Sequence, residues 1–216
     1  QTIDLQNVIS YCDQSFASAS EQAAFSIYDA SNLNPLFDFQ WSRDGLAASQ
    51  SMSQKLIARN DPRLRRVFVE PNYWFIINGN TDPYFKMAPN GTNVEQQYVY
   101  NTSIFVYSQL APTLLQSYHE VLFLKAEALC RLSRSSEAEP VLKSAVVAAI
   151  ANTEVAVQGA LNAPTLLGYG GMTETTAAIT ATEAGSYFDT QVKPLFDANP
   201  LSETMVQKYI AFFGAS

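Results

Sequence analysis

Apolar positions recur at helical spacing along most of this chain, most densely in Ser117–Leu132 (SYHEVLFLKAEALCRL). Drawn at about 100° per residue, Leu115, Tyr118, Val121, Leu122, Ala126, Ala128, Leu129 and Leu132 cover more than half the circumference. Only Glu120, Glu127 and Arg131 gather into a polar strip. A helix apolar on most sides is covered on most sides, so this one belongs in a stack. A second helix is predicted after it. Arg134-Ser135-Ser136 turns the chain, Ser136 with Glu139 makes a capping box, and Pro140 falls in the first turn, where proline is tolerated. Val141, Leu142, Ala145, Val146 and Ile150 form its apolar side. Ala126, Leu129, Ala138, Leu142 and Ala145 keep the small/large spacing of a tetratricopeptide-type hairpin, in which small residues permit close approach and large ones fill the gaps.

The rest of the chain alternates helical pattern with interruptions. The stretch to about Asp29 reads as helical through Ile3, Leu5, Val8, Ile9, Ala23, Ala24 and Ile27. Ser31–Asp44 breaks that period: Asn34-Pro35 signals a turn, and Phe37, Phe39 and Trp41 alternate as in a short extended segment. Ser49–Arg59 returns to helix with Met52, Leu56 and Ile57 inward, and Asn60-Asp61-Pro62 stops it. Glu70 to Gln109 has no helical period and is cut by Pro71, Gly79, Pro83, Pro89 and Gly91, with Val99, Phe105 and Val106 as strand candidates. Ala151–Thr173 reads as a small-residue and glycine loop, and Thr182–Asp197 and Ser202–Phe213 as two more helices separated by Asn199-Pro200. The expected fold is mostly α: tetratricopeptide-like hairpins, a long irregular aromatic-rich loop and at most a minor β-hairpin. No strand–helix alternation points to a parallel sheet.

Composition narrows the function. With 216 residues, 47% hydrophobic and 15% charged, the chain builds a sizeable core and is not disordered. Net charge is −7 with only 13 Lys and Arg, which argues against nucleic acid or an anionic membrane surface; Arg63, Arg65 and Arg66 make only a local patch. No apolar run approaches the roughly 20 residues of a membrane span. Cys12 and Cys130 lie far apart in helical, partly apolar settings and read as buried free thiols. The chain starts at Gln1 with neither signal peptide nor lipid-attachment Cys, as expected of a processed protein or an excised piece.

Three stretches occur in a telling order: Asn60-Asp61-Pro62-Arg63-Leu64, the helix Ser117–Ala128 with Ala126-Glu127-Ala128, and Gln207-Lys208-Tyr209-Ile210-Ala211-Phe212-Phe213. Together they resemble the SusD/RagB-like outer-membrane lipoproteins of Bacteroidota, in the branch described as starch-binding and associated with the outer membrane. The resemblance spans Asn34 to Phe213 and matches the later half of a typical member. It implies a helical, tetratricopeptide-containing protein, lipid-anchored on the cell surface of the outer membrane. Such a protein sits as a lid on a SusC-like TonB-dependent transporter and captures a glycan or other nutrient for import. The chain departs from the family in lacking the lipid-bearing N-terminus and early repeats, and in having Ser133–Ser136 where relatives carry a turn glycine. Residues 34–116 form the loop-rich part and 117–216 the helical part of one domain or domain fragment.

The aromatic loop is the leading site. Pyranose C–H faces pack on aromatic rings while amides and carboxylates fix the hydroxyls. Tyr73, Trp74 and Tyr84 supply rings, with Asn72, Asn78, Asn80, Asp82, Asn93 and Gln97 beside them. The same rings equally suit a satellite core beneath a long loop. In Trp41-Ser42-Arg43-Asp44, Arg43 and Asp44 suit ligand hydroxyls beside Trp41, or else a turn with a local ion pair. His119 is the only histidine and reads as a surface or packing residue. Glu127 precedes Arg131 by one turn, the spacing of an ion pair rather than a glycosidase pair. Lys125 falls inside the apolar arc and must snorkel outward or meet a carboxylate from another helix. No nucleophile elbow, phosphate loop or zinc motif appears, so neither enzyme activity nor a cofactor is expected. The alternatives are a helical-repeat module whose ligand is another protein, and a glycan-processing enzyme.

Overall fold

The computed structural model describes residues 2–29, 31–43, 46–69, 87–91, 100–161 and 176–213, without the side chains of Trp41 and Val69. It divides into two compact units. The helical unit comprises Gln1–Phe25, Thr113–Asn152 and Ile179–Ser216, and the loop unit comprises Ser26–Pro112 and Thr153–Ala178.

In the helical unit, helix α1 spans Thr2–Asp13 and helix α5 spans Tyr118–Arg131. Ser117 caps α5, its hydroxyl accepting from the Glu120 N–H at 3.1 Å. Val121, Ala126, Ala128 and Leu129 are buried, and so are His119 and Phe123, so the covered arc is even wider than the apolar pattern draws it. Tyr118, Leu122 and Leu132 are half-buried. Helix α6 runs Ser135–Leu161, and Ala138, Leu142, Ala145, Val146, Ala149 and Ile150 share one core with Phe123, Ala126 and Leu129. The small/large spacing of the predicted hairpin is thus the packing of its core.

The hairpin turn differs from the sequence reading. Arg134 O already accepts from the Glu137 and Ala138 N–H groups, so α6 starts before Ser136 and the capping box is not formed. Glu139 instead accepts from Lys193 Nζ at 2.9 Å, and Pro140 lies inside the helix. Ser133 adopts φ 59, the left-handed conformation usually left to glycine. Its N–H bonds Cys130 O at 3.0 Å while the Arg134 N–H reaches Leu129 O at 2.9 Å, the paired bonds of a Schellman cap.

Helix α7 (Ala181–Tyr187) is capped by Thr180, whose hydroxyl accepts from the Glu183 N–H at 3.1 Å. A single π turn, Phe188–Val192, leads into α8 (Lys193–Ala198). Pro194 has no N–H to donate to the preceding turn, which accounts for the wider winding there. Helix α9 spans Pro200–Ala211, with Asn199 as its cap and Pro200 as its first residue. Its Phe212 end meets Phe123 edge-on (6.4 Å, 89°) and His119 at 6.3 Å, so α9 covers one side of α5. His119 is a packing residue. On another side α5 contacts α1, and Asp13 is the partner of Lys125.

Three further expectations for this unit fail. Ala23–Phe25 is not helical but forms strand β1, after a 3₁₀ turn at Ala19–Glu21. It pairs antiparallel with Thr113–Gln116, strand β4, with Ala23 opposite Gln116 and Ala24 opposite Leu114. Leu115 is the bulged residue and is 70% exposed, so it is not part of the α5 arc. Helix α6 is also long and apolar enough, by length and composition, to cross a membrane, contrary to the count of apolar runs. Ala138, Leu142, Ala145, Val146, Ala149 and Ile150 of its apolar stripe are the core residues just described.

In the loop unit, helix α2 occupies Pro35–Arg43, where the alternation of Phe37, Phe39 and Trp41 suggested an extended segment. Asn34-Pro35 is a helix start rather than a reverse turn. Asn34 Oδ1 accepts from the Leu36 N–H at 2.9 Å and the Phe37 N–H at 3.4 Å, while its Nδ2 donates to Ala111 O at 2.8 Å. Phe37 is buried and Phe39 exposed, as helical spacing demands. Helix α3 spans Gln50–Ile57 and buries Met52 and Leu56, whereas Ile57 points outward. Asn60, at φ 47, closes it: the Asn60 N–H bonds Ile57 O and the Asp61 N–H bonds Leu56 O.

The short helix α4, Leu64–Val67, leads into strand β2, Phe68–Val69, which pairs antiparallel with β3, Thr102–Ser103. Ile104–Tyr107 then forms a 3₁₀ turn, so Phe105 and Val106 are not strand residues, and Val99 lies outside the described residues. Residues 151–161 continue α6 instead of forming a loop. Thr153, Val157 and Ala160 are buried at helical spacing, and alanine-rich sequence costs little to hold helical. At Gly159 any Cβ would lie 2.8 Å from Ser108 Oγ, so the glycine permits that approach.

Candidate functional site

The candidate site is best built from the backbone that roots the aromatic loop. The β2–β3 ladder sets Phe68 opposite Ser103 and Val69 opposite Thr102, closing the neck of the segment between them. Midway, Met87 is buried and Ala88 bridges to Ser49: the Ala88 N–H bonds Ala48 O and the Gln50 N–H bonds Ala88 O, each at 2.9 Å. Ser49 Oγ also donates to Asn90 Oδ1 at 2.9 Å. Near the far end, Asn101 O accepts from the Ala48 N–H at 2.8 Å, and the Thr102 hydroxyl meets Leu46 O at 3.5 Å. Gln40 of α2 is buried and its Oε1 accepts from the Leu46 N–H at 2.9 Å.

The strip Leu46–Gln50 is therefore a common anchor. It holds the end of α2, the residues around Ala88 and the residues around Asn101. A recognition loop needs such a frame, because ligand groups on a loop are only as well placed as its roots.

The individual side chains stand as follows. Tyr73, Trp74, Tyr84 and Asp44 lie outside the described residues, as does the side chain of Trp41, whose backbone is in the last turn of α2. Arg43 is exposed at the end of α2. Of the described aromatics beyond Gln97, Tyr100 and Phe105 are buried and Tyr107 is half-buried, so these rings are core rather than exposed ligand rings. Leu36, Phe39 and Arg43 share the outward face of α2, with Leu36 44% and Phe39 43% exposed.

The Asn60–Leu64 motif proves structural. Asp61 and Arg63 are buried; Asp61 Oδ1 accepts from the Arg63 N–H and Nε, and Oδ2 from Nη2 at 2.6 Å. Arg66, also buried, donates to both oxygens of Glu154 (2.8 and 2.6 Å) and to Thr176 O at 2.9 Å. The sequence shows the arginines but not these partners, which lie 88 and 110 positions away. The anchor residues Gln40, Ser49 and Asn101 carried no signal either, since their bonds to Leu46, Asn90 and Ala48 follow no periodic pattern.

The Gln207–Phe213 motif is likewise scaffold. Gln207 is buried and donates to Glu203 Oε1 at 2.8 Å, Ile210 and Ala211 are buried, and Lys208 donates to Glu127 Oε2 at 2.9 Å. Glu127 also accepts from Arg131 at 2.8 Å, as its spacing predicts. Cys12 and Cys130 are free and half-buried, and that burial pushes both thiols above their ordinary range. Among the described residues, no group of three or more His, Cys, Asp or Glu side chains is gathered to hold a metal ion.

The described residues define a mostly helical fold whose core is a repeat-like helical hairpin. The chain belongs to the SusD-like family described as starch-binding and associating with the outer membrane, which matches residues 2–215. A SusD/RagB family protein from Bacteroides thetaiotaomicron VPI-5482 is 48% identical and superposes with a TM-score of 0.87, covering 100% of this chain and 45% of that one. Two SusD homologues share the fold at 18% identity: one from Bacteroides fragilis NCTC 9343 (TM-score 0.60, 92% of this chain and 43% of that one) and another from B. thetaiotaomicron (0.53, 92% and 40%). The chain thus spans less than half the length of these relatives. No curated protein matches it.

Proposed function

We propose that this chain is part of a non-catalytic cell-surface protein that captures a glycan or another nutrient at the outer membrane. The family match over nearly the whole chain carries the reading. Captured ligand passes to a SusC-like TonB-dependent transporter, and a lipid anchor holds the protein at the membrane. Residues 34–116 carry recognition and residues 117–216 the scaffold. Tyr73, Trp74 and Tyr84, with Trp41, Arg43 and Asp44, form the ligand surface. The anchoring of Leu46–Gln50 to the residues around Ala88 and Asn101 supports this, because it ties the end of α2 to the aromatic segment. A carrier must release its cargo, so rings and neutral hydrogen bonds suit the task better than buried charge.

Calorimetric titration of the protein with a panel of neutral oligosaccharides tests the assignment. Trp74→Ala and Trp41→Ala are each expected to weaken the bound glycan about tenfold, near 1.4 kcal/mol. A glycan held equally well by both variants and the parent would place the site elsewhere.

A further inference from the structure

The turn after the Ala88 bridge brings a reactive pair and an activating group together. Asn90 and Gly91 are both exposed, so water and base reach them. Gly91 adopts φ 74, the left-handed conformation that a turn leaves to glycine, and a Cβ there would meet nothing within 4 Å. Asn90 Oδ1 accepts from Ser49 Oγ at 2.9 Å, across 41 positions of the chain. An asparagine followed by glycine carries its own nucleophile. With no side chain to hinder it, the glycine nitrogen can close on the asparagine Cγ in a five-membered ring. A hydroxyl donor on Oδ1 draws electron density from that carbon and stands where negative charge develops as it turns tetrahedral.

We infer that Asn90 is a self-modifying site, at which the folded protein exchanges an amide for a carboxylate with Ser49 as the activating donor. The Gly91 nitrogen gives its proton to solvent base and bonds Cγ. The Cγ–Nδ2 bond then breaks, and the amine takes a proton and leaves as ammonia. Water opens the succinimide at either carbonyl, giving aspartate or isoaspartate, so the net change is one water consumed and one ammonia released. The position gives the reaction its consequence. Ala88, two residues earlier, bonds Ala48 and Gln50, so the new charge arises beside the strip that anchors the loop unit. Isoaspartate also routes the main chain through the side-chain methylene, which lengthens the path leading away from that anchor. Neither step depends on which ligand the loop unit takes.

Peptide mapping by mass spectrometry, on the whole chain held folded at mildly alkaline pH, tests this. Tryptic cleavage after Lys86 puts Asn90 and the other Asn-Gly pair, Asn78-Gly79, on separate peptides, and fragmentation assigns the mass increase to one asparagine. Asn90 is expected to convert at least as fast in the folded chain as in the same chain unfolded in guanidinium. Ser49 precedes α3 without a side-chain bond to its end, so Ser49→Ala leaves that helix start intact. It is expected to slow conversion about threefold or more in the folded chain, as loss of one ordinary hydrogen bond implies, and to leave the unfolded rate unchanged. Ser49→Thr, which keeps a hydroxyl, is expected to keep the rate. Slower conversion folded than unfolded would overturn the inference. A Ser49→Ala chain that converts as fast as the parent or faster would do so too, because the bond would then serve only to hold the side chain in place.

Discussion

The two units solve the burial of backbone in opposite ways. In the helical unit the backbone satisfies itself within α5–α9, so the space between helices is filled by Phe123, Leu142, Val146 and Phe188, with alanines where helices come close. In the loop unit much of the chain is irregular, and its N–H and C=O groups need partners from elsewhere. Buried Asn34, Gln40, Asp61, Arg63 and Arg66 supply them, each reaching a backbone group or an opposite charge. Polar burial here is the scaffold of irregular structure.

The largest expected effects come from removing one member of each kind of scaffold. Arg66→Ala removes the ion pair with Glu154 and a donor to Thr176 O, and is expected to lower the unfolding free energy by about 3–5 kcal/mol in urea titration. Leu142→Ala, at a fully buried position, is expected to cost about 2–5 kcal/mol. The sharper test is the double replacement Arg66→Met with Glu154→Leu. An isolated buried ion pair is often replaced by apolar residues without loss. Here most of the loss should persist, because the hydrogen bond from Arg66 to the carbonyl of Thr176 is still removed. Full recovery in the double variant would show that the loop unit needs volume rather than hydrogen bonds.

A smaller contrast lies at the two left-handed helix ends. Ser133 and Asn60 occupy the same position of the same cap, one in each unit. A serine there bears a Cβ clash that asparagine tolerates better. Ser133→Gly is expected to stabilise the protein by about 0.5–1 kcal/mol, a rise of a few degrees in Tm, and Asn60→Gly to change it by less than half as much. Equal gains at both sites would mean that the asparagine side chain contributes nothing to its turn.

What was legible in the sequence follows the same division. Helix α5 and the small/large spacing through Ala145 follow from local periodicity, because a helix packed by an apolar stripe writes that stripe into its own residues. Lys125 could be flagged as needing a carboxylate, but Asp13 could not be named, since nothing local links the two. Asn34-Pro35 carries the same letters as a turn and as a helix start; the bonds to Gln109 and Ala111 decide between them, and those lie far along the chain. Residues 151–161 looked like a loop because alanine and glycine give a faint stripe, which becomes clear only where Val157 and Ala160 are buried. For the candidate site, the residue types that suit a sugar were visible, whereas its frame was not: the bridge from Ser49 to Ala88 and the bond from Ala48 to Asn101 join residues far apart in the chain and leave no local pattern.

The smallest effect expected separates the units by pH. Partial burial pushes the Glu127 carboxyl upward, but hydrogen bonds from Lys208 and then Arg131 outweigh it and hold it below the usual carboxylate range. A folded value below the unfolded one, near 4.3, means that the stabilisation is complete above that pH and is lost as the pH falls through the folded value. Glu127 joins α5 to α9, so the loss belongs to the helical unit. Thermal melts between pH 6 and pH 3 should therefore show a decline that Glu127→Gln flattens, and added salt should shrink the difference, since both donors are partly open to water. Glu137, held low by the exposed Arg134, titrates in the same range, and Glu137→Gln is the control that apportions the slope. If Glu127→Gln leaves the acid limb unchanged while Glu137→Gln flattens it, the link between α5 and α9 is apolar contact alone, and the charged pair at its edge contributes nothing to holding the stack.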